Sequence, residues 1–474
     1  MASSVIAFSP EILLAVCALG LICHDVLLPE RKAAIRWIAL ASVLAMLAAS
    51  AYVAANAGAL AGPHFDGALV LDGYTTFARV LFGCAGALVI LASWDFYGER
   101  SVAEYFTLFM LSLVGEVVIV AGTSLLMLFI GIELLAIPTY ALVALLKQQE
   151  MAVEAGLKYF LLGMFASVVM LYGVALLYGA LHTVGYVQPL FAAPSGLSAA
   201  ARGLVLFGFF FLMMGIGFKV VAFPFHFWSP DVYAGGSTPV VAYVSTVPKV
   251  AILLALFRVL GPDFAFLWPA GRAFIAALAV LSMVYGNVVA LMQDDLRRML
   301  AYSGVANTGY MLVALAAGGA DSYRALLFFL VVYTFTNLGA FFVVLAVSGQ
   351  ERAVLDDLGG LGRRAPSLAF AMALFMFSLA GTPPLAGFFG KFALFRAAVV
   401  HDEWYLALIA LLASVVSVGY YLKIAQQMYG ADYAYSPAPG AQLRRLAPPP
   451  ALRLAVALTA VATVLLGVVG VAFM

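Results

Sequence analysis

Six residues of this chain are of types that handle protons, and they stand in stretches with little use for charge: Glu133, Lys158, Lys219, His226, Lys249 and Lys391. Lys219 and Lys249 bracket the run G-F-K-V-V-A-F-P-F-H-F-W-S-P-D-V-Y-A-G-G-S-T-P-V-V-A-Y-V-S-T-V-P-K. An ammonium deep in hydrocarbon is costly, so such a lysine is a functional hypothesis by default. Burial favours a neutral amine, and a nearby carboxylate favours the ammonium. A lysine balanced between the two gains and releases a proton as its partner moves. Proton transfer is therefore the chemistry these residues point to.

Each candidate carries a plainer alternative. Lys219 lies five residues before Pro224, where a broken helix frees carbonyls that can solvate it; a permanent structural pair is the alternative. Glu133, in G-I-E-L-L-A-I-P, is too deep to snorkel and is the natural counter-ion for Lys219 if their segments touch. A neutral, hydrogen-bonded Glu133 that packs two helices is its alternative. Lys249 follows Pro248, which loosens its helix, and Lys391 closes the run G-T-P-P-L-A-G-F-F-G-K; a static pair is the alternative for each. Lys158 is close enough to a segment end to snorkel. His226 either relays protons, as histidine can near neutral pH, or packs. Glu116 is central and pairs with Lys158 or Lys249, or stays protonated. Arg79 reads as structural, Lys423 as snorkelling, and Glu11 as near enough to the outer end to meet headgroups.

Such residues need a membrane around them, and the composition supplies it. The 474 residues are 65% hydrophobic and 10% charged, against roughly a quarter charged in soluble domains. The expected fold is an all-α polytopic membrane protein with about 14 transmembrane helices. Strands would alternate polar and apolar, and the segments do not. A net charge of +1 gives no case for nucleic acid. Cys17, Cys23 and Cys84 show no metal-ligand spacing and read as structural thiols. The first helix lacks a basic n-region and a cleavage site, so it is expected to stay as a span.

Two apolar segments are too long for one span, Gly203 to Tyr233 and Pro366 to Val400. Prolines interrupt both, at Pro224 and Pro230 and at Pro383 and Pro384, so helices 7 and 12 are expected to be broken. Each is the fourth member of a five-span unit, spans 4–8 and 9–13. Five is odd, which inserts the second unit upside down, an arrangement of transporters with sites at broken helices. The division this implies is residues 1–100 for three N-terminal helices, 101–260 and 261–432 for the two inverted five-helix repeats, and 433–474 for a Pro-rich loop and a last helix. With the N-terminus outside, inside loops hold roughly 13 basic residues against 5, among them Arg100, Arg444 and Arg445. Both termini are then periplasmic. No phosphate loop, dinucleotide fingerprint or Ser/His/Asp order appears, and His24, His64, His182, His226 and His401 suggest no haem.

The run around Lys219 resembles the antiporter-like subunits of respiratory complex I, the NADH–quinone oxidoreductase, a family related to Mrp antiporters. So do G-I-E-L-L-A-I-P-T-Y at Glu133, L-M-Q-D-D-L-R-R-M-L-A-Y-S from Leu291, and S-L-A-G-T-P-P-L-A-G-F-F-G-K-F at Lys391. The resemblance implies a proton path in which Glu133 and Lys219 form an ion pair, Lys249 connects centrally and Lys391 leads to one side. Lys158 and His226 match family positions near that axis. It implies no cofactor in this chain; NAD, FMN, iron–sulfur clusters and quinone belong to partner subunits. Within the family the short chain, the lysine at position 391 and the E-A-G-L-K-Y-F run point to the class whose neighbours are subunits M and K and the lateral helix of subunit L. The implied location is the bacterial inner membrane. Ser237 departs from a frequent proline and Asn307 from a common histidine, and Asn307 cannot titrate. A subunit of a multi-subunit cation/proton antiporter is a second reading, and a structural subunit with non-conducting charges a third.

Overall fold

The computed structural model describes residues 2–97, 101–185, 198–260, 268–349, 352–430 and 446–471. Arg100, the loop with Pro189, Pro194 and Ser195, and the stretch with Pro437, Pro439, Arg444 and Arg445 lie outside the described residues. Hydrocarbon offers no partner to a backbone N–H or C=O, so an apolar chain of this kind satisfies them within helices. Thirteen helices among the described residues are long and apolar enough to cross a bilayer. The chain is an all-α polytopic membrane protein. One departure is a hairpin in the polar loop after the second span, where β1 (Gly62–His64) pairs antiparallel with β2 (Leu69–Leu71).

The chain divides into two compact units. The first comprises residues 1–90, 97–220 and 247–271. It holds α1 (Ala2–Ala7), α2 (Ser9–Leu27), α3 (Lys32–Ala55), α4 (Ala57–Leu60), most of α5 (Gly73–Ala92), α6 (Val102–Ala121), α7 (Leu125–Val143), α8 (Glu150–Leu181) and α9 (Ala199–Lys219). The next two helices, α10 (Ser229–Gly235) and α11 (Thr238–Val244), fall in the second unit, and α12 (Val247–Leu260) returns to the first. Within the first unit α6 packs on α7, α8 on both α7 and α9, and α12 on α6. The α6–α7 approach is close because it is glycine against backbone. Gly115 faces the main chain at Leu135, and Gly131 faces that at Ile119, with no room for a Cβ at either.

A buried ion pair ties the start of this unit together. Arg79 of α5 donates to both carboxylate oxygens of Glu11 at 2.6 and 2.8 Å and to the Ala7 carbonyl at 2.9 Å. Glu11 therefore does not reach out to headgroups. It is only 5% exposed, because the fully buried guanidinium draws it inward.

The second unit comprises residues 91–96, 221–246 and 272–474. It adds most of α13 (Trp268–Leu291), α14 (Leu296–Ala317), α15 (Gly319–Ser348), α16 (Leu361–Arg364), α17 (Pro366–Ala380), α18 (Ala386–Val400), α19 (Trp404–Tyr429) and α20 (Pro450–Gly470). The expected break in span 12 lies between α17 and α18. There Gly381 takes the left-handed conformation that ends a helix, φ 89°.

Span 7 differs in detail from the expectation. α9 is a full-length helix that ends at Lys219, so the break follows the span and does not divide it. Non-helical chain then runs to Trp228, with Val221 at φ 64°, a conformation that is an outlier for a β-branched residue. A further interruption falls inside the expected eighth span, between α11 and α12. Pro248 has no N–H to offer the Val244 carbonyl. The Ser245 and Thr246 hydroxyls turn back onto the Ala242 carbonyl, each at 2.9 Å. Asn337 of α15 donates to both hydroxyls, at 3.0 and 2.7 Å.

Candidate functional site

Lys219 is the last residue of α9 and is 8% exposed. Its Nζ donates to the Tyr140 hydroxyl of α7 at 2.9 Å. The hydroxyl reaches it past Gly163 of α8, where any Cβ would collide with the Tyr140 oxygen. Glu133 lies seven residues before Tyr140 on α7, two turns or roughly 10 Å along the axis. Its Oε1 accepts from Ser167 of α8 at 2.5 Å. No Glu133–Lys219 ion pair within 4.0 Å occurs among the described residues. The two groups are instead joined through one face of α7, with α8 contributing a hydroxyl to one and a gap to the other. Pro138 sits inside α7 and leaves the Leu134 carbonyl, next to Glu133, without its helical donor.

Lys249 lies in the first turn of α12, just past the interruption, and is 1% exposed. Glu116 is fully buried in α6, the helix that α12 packs against. This places a buried acid and a buried amine on neighbouring helices of the first unit.

Lys391 is in α18 of the second unit and is buried. Its Nζ donates to the Ala380 carbonyl at 3.2 Å and to Ser414 Oγ of α19 at 3.0 Å. Ala380 is the last residue of α17, so its carbonyl is one of those a helix end leaves free, and that end carries the negative pole of the helix. The amine also lies 4.6 Å from the centre of the Tyr310 ring. The break that the sequence predicts beside Lys391 thus supplies one of its acceptors.

His226 belongs to the second unit, in the non-helical stretch before α10. It is buried among the rings of Phe223, Tyr285 and Tyr302, at 5.5, 4.8 and 6.0 Å between centroids. Lys158 pairs with Glu154 one turn earlier at 2.8 Å, with both side chains partly exposed. Lys423 pairs with exposed Asp294 at 3.0 Å. Sequence reasoning missed Tyr140, Gly163, Ser167, Tyr310 and Ser414. A signal existed for one of them: Tyr140 is seven residues from Glu133 and so on the same helical face. The others come from helices that only the fold makes neighbours.

Comparison with known proteins follows the same lines. Residues 122–417 match the family model described as NADH:quinone oxidoreductase/Mrp antiporter, TM. NADH-quinone oxidoreductase subunit N of Trichlorobacter lovleyi is 37% identical over 89% of this chain and 86% of its own length. The protein of that name from Parvibaculum lavamentivorans is 38% identical over 91% of this chain and 89% of its own. Among solved structures, a chain of respiratory complex I from Thermus thermophilus with bound aureothin superposes with a TM-score of 0.80 at 32% identity, covering 97% of both chains. A chain of the Mrp complex from Dietzia shares the fold, with a TM-score of 0.81 at 21% identity over 99% of this chain and 95% of that one. The chain belongs to the NADH:quinone oxidoreductase/Mrp antiporter membrane family.

Proposed function

We infer that this chain is the N-type membrane subunit of a bacterial NADH–quinone oxidoreductase and that it moves protons across the inner membrane. The observation that carries the reading is the burial of Lys219, Lys249 and Lys391 in a polytopic membrane chain. All three stand at or beside chain breaks. Buried ionisable groups of this kind mark ion and proton pathways. Glu133, Lys219, Lys249 and Lys391 carry the proton, with Lys158 and His226 as further relay positions. Electron transfer belongs to partner subunits, which hold NAD, FMN, iron–sulfur clusters and quinone; this chain holds none of them. Its neighbours are subunits M and K and the lateral helix of subunit L. Both termini face the periplasm.

The driving input is electrostatic. A change at a neighbouring subunit alters the charge near Glu133 and Lys219, and a shift of one unit in proton affinity corresponds to about 1.4 kcal/mol. A few such units load or empty a site. The experiment is Lys219→Ala in the assembled complex, with NADH-driven proton pumping measured in sealed inverted membrane vesicles. Most of the pumping is lost. Pumping and turnover equal to the parent's would remove Lys219 from the mechanism.

A further inference from the structure

We propose that a cavity between α15 and α18 of the second unit binds the phosphodiester of an anionic membrane lipid, which Arg324 and Arg396 hold. The proposal does not depend on any residue of the proton path.

α15 starts and α18 ends at the same end of the second unit. The two helices touch where Gly390 packs on Phe329, with no room for a Cβ. Arg324 stands five residues from Phe329 and Arg396 six from Gly390, so both lie roughly 7–9 Å beyond that contact. Farther on, the His401 ring takes the space that a side chain on Gly319 would need, which ties the end of α18 to the start of α15. Between these two contacts lies a cavity of about 210 Å³. Its lining includes Asp321 and Arg324 of α15 and Ala393, Arg396 and Ala397 of α18. The short alanine side chains leave the room.

α20 fills the neighbouring part of the same groove. Its Leu466 packs against the cluster of Phe328, Val332 and Phe389, and its Gly470 lies against the Phe389 ring. Steps of three and four residues carry the α15 face from Val332 and Phe328 to Ala325 and Asp321. The same steps carry the α18 face from Phe389 to Ala393 and Arg396. The groove is thus apolar under α20 and charged where the cavity continues it.

Charge, shape and depth select the occupant. Two guanidiniums line the cavity against one carboxylate, and Asp321 meets Arg324 only loosely, at 4.0 Å. Glu403, at this same end, is already engaged by Arg272 at 2.6 Å. The surplus of one positive charge matches one phosphodiester, and the planar fork of an arginine fits two phosphate oxygens. Trp404 and Tyr405 open α19 at this level and are exposed. Such rings sit at the headgroup level of a bilayer. Phe392 and Val399, exposed on the α18 face beside Arg396, offer an acyl chain an apolar track. A soluble anion has no use for that track, whereas basic pockets between membrane helices hold lipid headgroups.

The test uses the assembled membrane complex that contains this chain. The complex is stripped of lipid in mild detergent and titrated with phosphatidylglycerol, and bound lipid is counted by mass spectrometry of the intact complex. Two variants are compared with the parent. One combines Arg324→Gln with Arg396→Gln; the other, Ala393→Leu, fills the cavity and keeps both arginines. The parent should hold one more phosphatidylglycerol than either variant, and the arginine variant should bind that lipid about tenfold more weakly. Phosphatidylcholine, whose ammonium cancels the phosphate charge, should not replace it. Should the arginine variant fail to assemble, Ala393→Leu decides. Equal lipid counts in the parent and an assembled variant overturn the site. Displacement of the lipid by inorganic phosphate at equal concentration would mark a site for a soluble anion and overturn the lipid assignment.

Discussion

The buried amine of Lys219 touches the hydroxyl of Tyr140, at 2.9 Å, and not the carboxylate of Glu133. Both acceptors belong to α7 and sit two turns apart. A hydroxyl can accept from an ammonium and donate to an amine, so this contact serves Lys219 in either protonation state. A fixed ion pair would hold it in one.

Tyr140→Phe keeps the ring and removes this acceptor. A hydrogen bond to a charged group contributes about 1.5–3 kcal/mol, which corresponds to roughly tenfold or more in rate. Pumping should fall by that factor while the amount of assembled complex on native gels holds. Parent-level pumping by assembled Tyr140→Phe would show that Lys219 does not need this contact.

Gly163→Ala puts a methyl group where the Tyr140 oxygen now lies. Overpacking of this kind costs about 1–3 kcal/mol, and the collision moves the hydroxyl off Lys219. The loss of pumping should shrink when Gly163→Ala is added to Tyr140→Phe, because the nearest of the colliding atoms is gone and only the ring edge remains close. Equal losses in both backgrounds would place the effect of Gly163 elsewhere.

The Glu11–Arg79 pair is a structural tie. Breaking one side of a buried pair costs about 3–5 kcal/mol, whereas replacing both sides with apolar groups is often close to neutral. Glu11→Leu and Arg79→Met should each reduce the heat resistance of the solubilised complex, and the double variant should recover much of it. A double variant as damaged as the sum of the singles would contradict coupling.

Asp72, before the first turn of α5, binds Arg258 of α12 at 2.8 and 3.1 Å. Burial pushes its carboxyl up, but the hydrogen bonds and charge of Arg258 outweigh burial and hold it below the ordinary value of 3.8. A depressed carboxyl contributes stability above its unfolded value and loses it as pH falls through its folded value. Asp72→Asn should therefore lower the melting temperature at pH 7, by an amount that shrinks below pH 3.8. A difference independent of pH would point to shape and not charge.

Helix breaks were legible at Pro383 and Pro384 because proline acts on its own turn. The interruption at Ser245 and Thr246 was less so. It combines Pro248 with hydroxyls that turn back onto Ala242 and an Asn337 that arrives from α15, ninety residues along. Glu11 was misread because its place near the outer end said nothing of Arg79, 68 residues away.

By itself the sequence determined that this is a helical membrane chain, which residues carry charge into it, and where α17 gives way to α18. Those are consequences of hydrocarbon and of proline, which act on each segment alone. Only the tertiary structure decided what each buried charge touches. An ammonium takes whichever oxygen packing delivers to it. For Lys219 that was a tyrosine admitted by a glycine on a third helix, and for Lys391 a serine and the free carbonyl at the end of α17.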